Sequence, residues 1–421
     1  KEETLPLAED AAEDAKPETV TVDNIINNPS PAWTKQPSEL KDEDYTGFYR
    51  ELYPMQFEEP LFNIHLNVDY PFNLTGILYF PKLNNDLNLQ KDKIQLYQNQ
   101  VFVTDNVEGI VPEFLTLLRG VIDSPDIPLN VSRSYLQADG AVKKSSNYIT
   151  RKVADKLSSL FKNDREAFEQ KWNDIKVVIE YGMLSEDKFY EKAEKFALYP
   201  TIDGSFFTLE ELKEATKDLQ TDKDNKHIIL YASNVDEQHA YIEAAKEKGY
   251  QVVLLDSPIV SHLIQKLESS NENLSFARVD GDAIENLIKK EEATVSKLSD
   301  EEKEKLQPLI EEVVPKEKYS IQLEALSSTQ LPFVLTQPEF MRRMKEMQQA
   351  GGNAMFGQMP EMYNLVVNTN HPLVEQILNT KTEKKRTRLI QQTLDLARLS
   401  QNLLKGEELT SFIQRSVDLI K

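Results

Sequence analysis

Apolar and polar residues alternate in two early stretches of the chain, and a period of two predicts strands. In LTGILYFP, Leu74, Gly76, Leu78 and Phe80 alternate with Thr75, Ile77 and Tyr79. IQLYQNQVFVTD, from Ile94 to Asp105, predicts a second strand. The period then changes: Val111, Phe114, Leu115 and Leu118 share one helical face, and Gly120 stands where that helix would end. Strands alternating with a helix predict a large α/β unit over residues 19–140. From 149 to 195 the pattern is mainly helical, with Val153, Leu157, Leu160 and Phe161 at helical spacing, and Phe189, Ala193 and Phe196 after them. This predicts a helical spacer over 141–224.

Residues 227–256 read strand, helix, strand. HIILYA (His227–Ala232) is the first strand and YQVVLL (Tyr250–Leu255) the second. Lys248-Gly249 marks the end of the helix between them. A small α/β unit over 225–295 follows from this, closing a block of residues 19–295. Residues 287–306 are rich in Lys and Glu and poor in aromatics, so a boundary is placed there. Residues 296–421 then form a C-terminal α+β domain, and the whole reads as a multi-domain α/β plus α+β protein. Residues 1–18 are acidic with few large apolar side chains. They read as a linker or, equally, as a frayed terminus, with ordered structure starting near Thr19.

The last third has its own character. Six of the eight methionines lie between Met341 and Met362. Thr336-Gln337-Pro338-Glu339 has the form of a capping box. Phe340, Met341, Met344 and Met347 follow at helical spacing, with Arg342, Arg343 and Lys345 on the other face to keep it soluble. GGNAMFGQMP then places Met355 and Phe356 in a loop. Two readings stay open: a helix packed on its own core, or a partly exposed Met-rich surface that adapts to varied apolar partners. Near the end, Leu389, Ile390, Leu394, Leu396, Leu399, Leu403 and Leu404 form one apolar stripe. Phe412, Ile413, Val417 and Ile420 form another after Gly406. Alone they would cap a domain; paired with a second copy they would build a four-helix interface.

Composition narrows the chemistry. The 421 residues carry a net charge of −21, which speaks against nucleic acid as the main partner. No run approaches 18 apolar residues, so no membrane span is expected. The absence of cysteine excludes disulfides, thiolate metal sites and a Cys nucleophile, and fits a reducing compartment. The five histidines, at 65, 227, 239, 262 and 371, have no metal-binding spacing, so no metal site is expected. No Ser/His/Asp set assembles, and no P-loop is present. The unit at 227–256 resembles a dinucleotide-binding fold in topology, with Asp256 where a ribose-binding acid would stand. Its first turn, Ser233-Asn234-Val235-Asp236, has no glycine to admit a pyrophosphate, so a plain structural βαβ is the better reading. Taken alone, the chain does not look like a self-contained enzyme.

One segment stands apart. LNVSRSYLQ (Leu129–Gln137) follows the turn DSPDIP (Asp123–Pro128), and Arg133 falls at a loop-to-helix junction with Asn130 or Ser132 as cap. A guanidinium held there suits a transferring phosphate. On spacing alone, an Arg paired with a nearby acid is the stronger reading.

LNVSRSYLQ resembles the middle-domain signature of the heat-shock-protein-ninety chaperone family. PAWTKQPSEL (Pro31–Leu40), Glu58–Pro81, Ile94–Gln137, ILYASN with GYQVVLLDSPI, and VNTNHPLV (Val367–Val374) are similar as well. The likeness runs from about Thr19 to the end, dense in the centre and weaker in the last third. Two positions depart from it: Ser134 stands where the family often has Glu, and Lys35 where it usually has Arg. The ending Leu419-Ile420-Lys421, without an acidic tail, points the resemblance to the bacterial or organellar branch.

The resemblance implies an ATP-dependent chaperone of the cytoplasm that acts in protein folding and the stress response. The block 19–295 would be its middle domain and 296–421 its dimerisation domain. ATP and Mg2+ would be bound by an amino-terminal ATPase domain outside this chain, so none is expected here and the chain alone would be inactive. Arg133 falls on the arginine that reaches the γ-phosphate, Gln137 on a glutamine that helps it, and Asn130 on an asparagine that orders the loop. Two copies would form a clamp through Leu394, Leu399, Leu403, Phe412, Ile413 and Val417. Non-native client proteins would meet Trp33, Phe340, Met341, Met344, Met347, Met355 and Phe356. Other chaperones are further partners; nucleic acid and membrane are not. The rival from another class is a nucleotide-independent dimeric scaffold, which would have no need of Arg133.

Overall fold

The computed structural model describes residues 2–4, 19–21, 28, 30–70, 72–82, 93–107, 110–127, 140–290, 294–337, 339–350 and 362–420. They form two compact units, Lys1–Val153 and Ala154–Lys421. Mixed α/β and α+β architecture is present as expected.

In unit 1, β1 (Glu2–Thr4) pairs antiparallel with β2 (Thr19–Thr21), so the stretch read as a linker contributes a short strand. The main sheet has β3 (Phe62–Val68), β4 (Leu74–Phe80), β5 (Ile94–Gln98), β6 (Val101–Thr104) and β7 (Arg119–Asp123), in the order β3-β4-β7-β5-β6. Only the β5–β7 pairing is parallel. The alternation in β4 holds, but both of its faces are buried. Helix α1 (Asp42–Leu52) turns Tyr45, Phe48 and Tyr49 onto Ile77, Tyr79 and Val121, and so covers the second face. Burying such rings and branched chains contributes about 1.5–3 kcal/mol each.

Two expectations fail in unit 1. Ile94–Asp105 is a hairpin, not one strand: Asn99 and Gln100 turn it with φ of 50° and 65°, the left-handed pair of a two-residue turn. The helix expected to end at Gly120 is a single 3-10 turn, Glu113–Leu117, and Gly120 lies inside β7. Its φ is +129°, and a Cβ there would stand 2.0 Å from the Ile77 carbonyl oxygen. The glycine thus marks a close approach between strands, not a helix cap.

Unit 2 continues from α2 (Gly140–Asn163), which begins in unit 1, into α3 (Arg165–Ser185) and α4 (Asp187–Ala193). Asp164 caps α3 by accepting from the Ala167 amide at 2.9 Å. After the short β8 (Tyr199–Pro200) and β9 (Phe206–Phe207) comes α5 (Leu209–Gln220), which opens with a complete capping box between Thr208 and Glu211. Then β10 (His227–Ala232), α6 (His239–Glu247), β11 (Val252–Leu254), α7 (Val260–Ser270) and β12 (Leu274–Arg278) build a parallel sheet of order β11-β10-β12. The predicted strand–helix–strand is present, and Gly249, at φ +75°, ends its helix.

Beyond α8 (Ile284–Leu287) and α9 (Asp300–Glu311), β13 (Tyr319–Glu324), β14 (Phe333–Thr336) and β15 (Tyr363–Asn368) form a sheet of order β13-β15-β14. Around it stand α10 (Glu339–Ala350), α11 (Pro372–Asn379), α12 (Glu383–Ser400) and α13 (Gly406–Ile420). Phe333, Leu335, Leu365 and Val367 from the strands share a core with Leu306, Ile310, Val374, Ile390 and Leu394 from the helices. Tyr241 of α6 donates from Oη to the Leu335 carbonyl at 2.7 Å, which ties the parallel sheet's flank to β14.

Candidate functional site

The turn that leads towards Arg133 is fastened from several sides. At the end of β7, Asp123 accepts from Trp33 Nε1 at 3.1 Å and from the Gln100 amide at 2.9 Å. Ser124 is fully buried. Its amide donates to the Tyr97 carbonyl at 3.1 Å and its hydroxyl to the Asn73 carbonyl at 2.6 Å. Asp126 accepts from the Asn73 amide at 2.7 Å. Gln98 Nε2 donates to the carbonyls of Pro125 and Ile127 at 3.1 and 3.3 Å. Buried polar groups of this kind hold only when paired, so the turn has one arrangement. Asn130, Arg133 and Gln137 lie outside the described residues.

Trp33 is a correction. It is 7% exposed and packs on Phe48 and Tyr97 at ring-centroid distances of 5.4 and 5.0 Å. With its N–H on Asp123, it is a core anchor of this turn and offers no client surface.

In unit 2, Arg342 and Arg343, expected on a solvated face of α10, are tied into a knot, and the side chain of Lys345 lies outside the described residues. Arg342 is 2% exposed and donates from Nη2 to Tyr231 Oη at 2.6 Å, across two elements, and to Glu339. Arg343 donates to Glu268 at 2.9 Å, to the Phe276 carbonyl at 2.8 Å and to Glu339 at 2.6 Å. Glu339 therefore serves two arginines and does not complete a capping box with Thr336, which belongs to β14 and whose hydroxyl is buried with no partner among the described residues. The other face keeps the predicted apolar exposure in part. Phe340 is 73% exposed, and Met341 and Met344 are half-buried. The side chain of Met347, and Met355 and Phe356 altogether, lie outside the described residues.

The two terminal helices divide their apolar residues. Leu394 and Phe412 are buried at 2% and 7%, and Leu403 packs on the same core as Leu394, so these three hold the domain itself together. Leu396, Leu399, Ile413 and Val417 are exposed. Between the helices, buried Asp395 accepts from Arg398 at 3.2 Å, from Gln391 at 3.1 Å and from Arg415.

A second, partly buried cluster went unpredicted. Lys176 of α3 donates from Nζ to Asp256 at 2.6 Å, where a dinucleotide fold would present that acid to a ribose. One turn along, Glu180 is buried with one carboxylate oxygen unpartnered. Burial pushes its carboxyl up to about 7, against the Ser257 hydroxyl and Lys176, which favour the charged form. At the βαβ turn, Gln238 Oε1 accepts from the amides of Ser233 and Asn234 at 2.8 and 3.0 Å. Asn234 Oδ1 takes those of Asp236 and Glu237, both at 3.1 Å. The protein's own side chains fill the place a phosphate would need. Among the described residues no acid or histidine cluster could hold a metal, and no helix is long and apolar enough to cross a membrane.

The sequence model of the family described as "Hsp90 protein" matches residues 1–420. The chain belongs to the Hsp90 family. Among its Hsp90 relatives, "Chaperone protein htpG" of Bacteroides fragilis (strain YCH46) is 47% identical over 475 residues, covering 97% of this chain and 70% of the relative. "Chaperone protein HtpG" of Porphyromonas gingivalis (strain ATCC 33277) is 53% identical over 374 residues, 88% of this chain and 54% of the relative. That of Bdellovibrio bacteriovorus is 25% identical over 378 residues, 86% and 59%. The chain is thus an Hsp90 of bacterial type, and the features above are those of an Hsp90 chain. The signal for its buried polar contacts is faint in the sequence, because their partners lie far apart: Arg342 and Tyr231, joined by a hydrogen bond, are 111 positions distant.

Proposed function

We propose that this chain is the middle and C-terminal part of an ATP-dependent molecular chaperone of the bacterial cytoplasm. Residues 19–295 act as its middle domain and 296–421 as its dimerisation domain. ATP and Mg2+ bind an amino-terminal domain outside these residues. Arg133, helped by Gln137 and with Asn130 ordering the loop, reaches the γ-phosphate and stabilises the charge that develops there. Family membership carries this reading. The fastening of Asp123, Ser124 and Asp126 supports it, since an arginine that must meet a phosphate on another domain needs a fixed root.

Two copies associate through the exposed faces of α12 and α13, with Leu396, Leu399, Ile413 and Val417 at the contact. Non-native proteins dock around Phe340, Met341 and Met344, continued by Met347, Met355 and Phe356. Exposed Phe340 supports the docking assignment, and exposed Leu396, Leu399, Ile413 and Val417 support the association.

ATP hydrolysis by the full-length protein, with and without Arg133→Ala, tests the reading. A rate lowered by 10³-fold or so is expected, the scale at which an arginine finger acts. An unchanged rate removes Arg133 from the reaction and favours a nucleotide-independent scaffold.

A further inference from the structure

One cavity of unit 2 belongs to none of these sites. It holds about 400 Å³, the size of a small-molecule pocket. Its lining joins residues around β10, β11 and α8 to Glu324 and Leu326 at the end of β13. In a chain of net charge −21, four lysines meet here: Lys223, Lys248, Lys289 and Lys290. Two are engaged. Lys248 Nζ lies 3.2 Å from Glu285 Oε1, and Lys290 Nζ donates to the Thr221 carbonyl at 2.8 Å. The Lys223 amide donates to the Lys289 carbonyl at 2.8 Å, which holds these two residues side by side. Among the described residues neither ammonium group has an acid within ion-pair distance, although Lys289 attracts the Glu324 carboxylate at longer range. Lysines gathered on one lining of this kind favour an anion.

Hydrogen-bond acceptors stand beside the cations. Glu324 accepts from Asn286 Nδ2 at 2.6 Å through one oxygen only. Glu285 Oε1 accepts from Gln330 Nε2 at 2.9 Å, while its Oε2 is shut away from solvent. Tyr250, Ile288 and Leu326 supply an apolar wall. A bare anion would use the lysines and be repelled by the carboxylates. A neutral polyol would use the carboxylates and leave the lysines.

We infer that the cavity takes a small phosphorylated molecule bearing hydroxyl groups, of the sugar-phosphate class. Lys223 and Lys289 receive the phosphate, and Glu324 accepts from the hydroxyls, as acids do in ribose recognition. Because the lining joins β13 to the parallel sheet's surroundings, occupancy would stabilise their packing by mass action.

Calorimetric titration of the 421-residue chain at low salt tests this with ribose 5-phosphate, ribose and inorganic phosphate as probes. Ribose 5-phosphate is expected to bind, phosphate about tenfold more weakly, and ribose not at all. Replacing both Lys223 and Lys289 by Ala should weaken the sugar phosphate about tenfold or more. Glu324→Gln should bring the sugar phosphate close to the affinity of phosphate. Unchanged circular dichroism and melting keep the variants interpretable, since both lysines are exposed. No binding of ribose 5-phosphate at millimolar concentration overturns the inference. So does equal binding of phosphate, which would mean an adventitious ion only, and so does a double variant that binds like the parent.

Discussion

Arg342 Nη2 and Tyr231 Oη meet at 2.6 Å inside unit 2, and the guanidinium carbon also lies 5.6 Å from the centre of the Tyr231 ring. The bond ties α10 to the end of β10. It joins the helix read as a client surface to the parallel sheet, so the exposed Phe340 is carried on a fixed support. Removing one side of such a pair leaves a buried charge or hydroxyl unsatisfied.

Tyr231→Phe should therefore lower stability by about 1–3 kcal/mol with the fold intact. Arg342→Ala should cost about 3 kcal/mol or more. Urea unfolding followed by tyrosine and tryptophan fluorescence reads both. Equal stability of Tyr231→Phe and the parent would mean that water replaces the contact.

Glu180 makes stability depend on pH. Its carboxyl titrates near 4.5 when unfolded and near 7 when folded. Below pH 4.5 both states hold the proton and the site carries no cost. As pH rises through the window to about 7, the unfolded chain releases its proton first, and folded stability falls. Above that the cost is constant, at ~3 kcal/mol. Glu180→Gln should gain stability over the parent at pH 8 and little at pH 4.5. A gain independent of pH would show that packing, not charge, is responsible.

At Gly120, the backbone adopts φ +129° and faces the Ile77 carbonyl. Gly120→Ala should destabilise unit 1 by about 3 kcal/mol or more, combining strain with a steric clash against backbone. Gly204→Ala is the control: it also has positive φ, at +87°, but nothing lies within 4 Å of its Cβ position. It should cost only about 1 kcal/mol. Thermal melts of the two variants separate strain from collision.

On the terminal helices, Ile413→Asp combined with Val417→Asp should convert a dimer to a monomer with little change in monomer stability, as both side chains are exposed. Phe412→Ala should instead destabilise the domain by about 3 kcal/mol. Sedimentation velocity with melting curves distinguishes the two. A dimer that survives the double aspartate variant would place the contact elsewhere.

Local periodicity made much of the fold legible. β4, the strand–helix–strand of 227–256 and the two terminal helices all follow from side-chain spacing. The hairpin at Asn99-Gln100 did not, since neither residue is the glycine that usually announces a left-handed turn. The apolar run from Val111 to Leu118 has helical spacing, yet it lies as a 3-10 turn before a strand whose close contact with β4 requires Gly120. Tertiary packing overrides the local pattern there. For the candidate sites, spacing identified the apolar residues of α13 but could not tell which way they turn. Phe412 faces in and its neighbour Ile413 faces out. The solvated face assigned to Arg342 and Arg343 was wrong because their partners, Tyr231 and Glu268, are remote in sequence. The positions of Asn130, Arg133 and Gln137 rest on the motif alone.

The side chain of Gln238 lies across the turn after β10, taking the two amides that a nucleotide-binding relative of this topology would turn to its cofactor. The unit thereby carries its own internal substitute for a ligand. The amides of this turn are satisfied without any small molecule, so the turn itself needs none in order to fold.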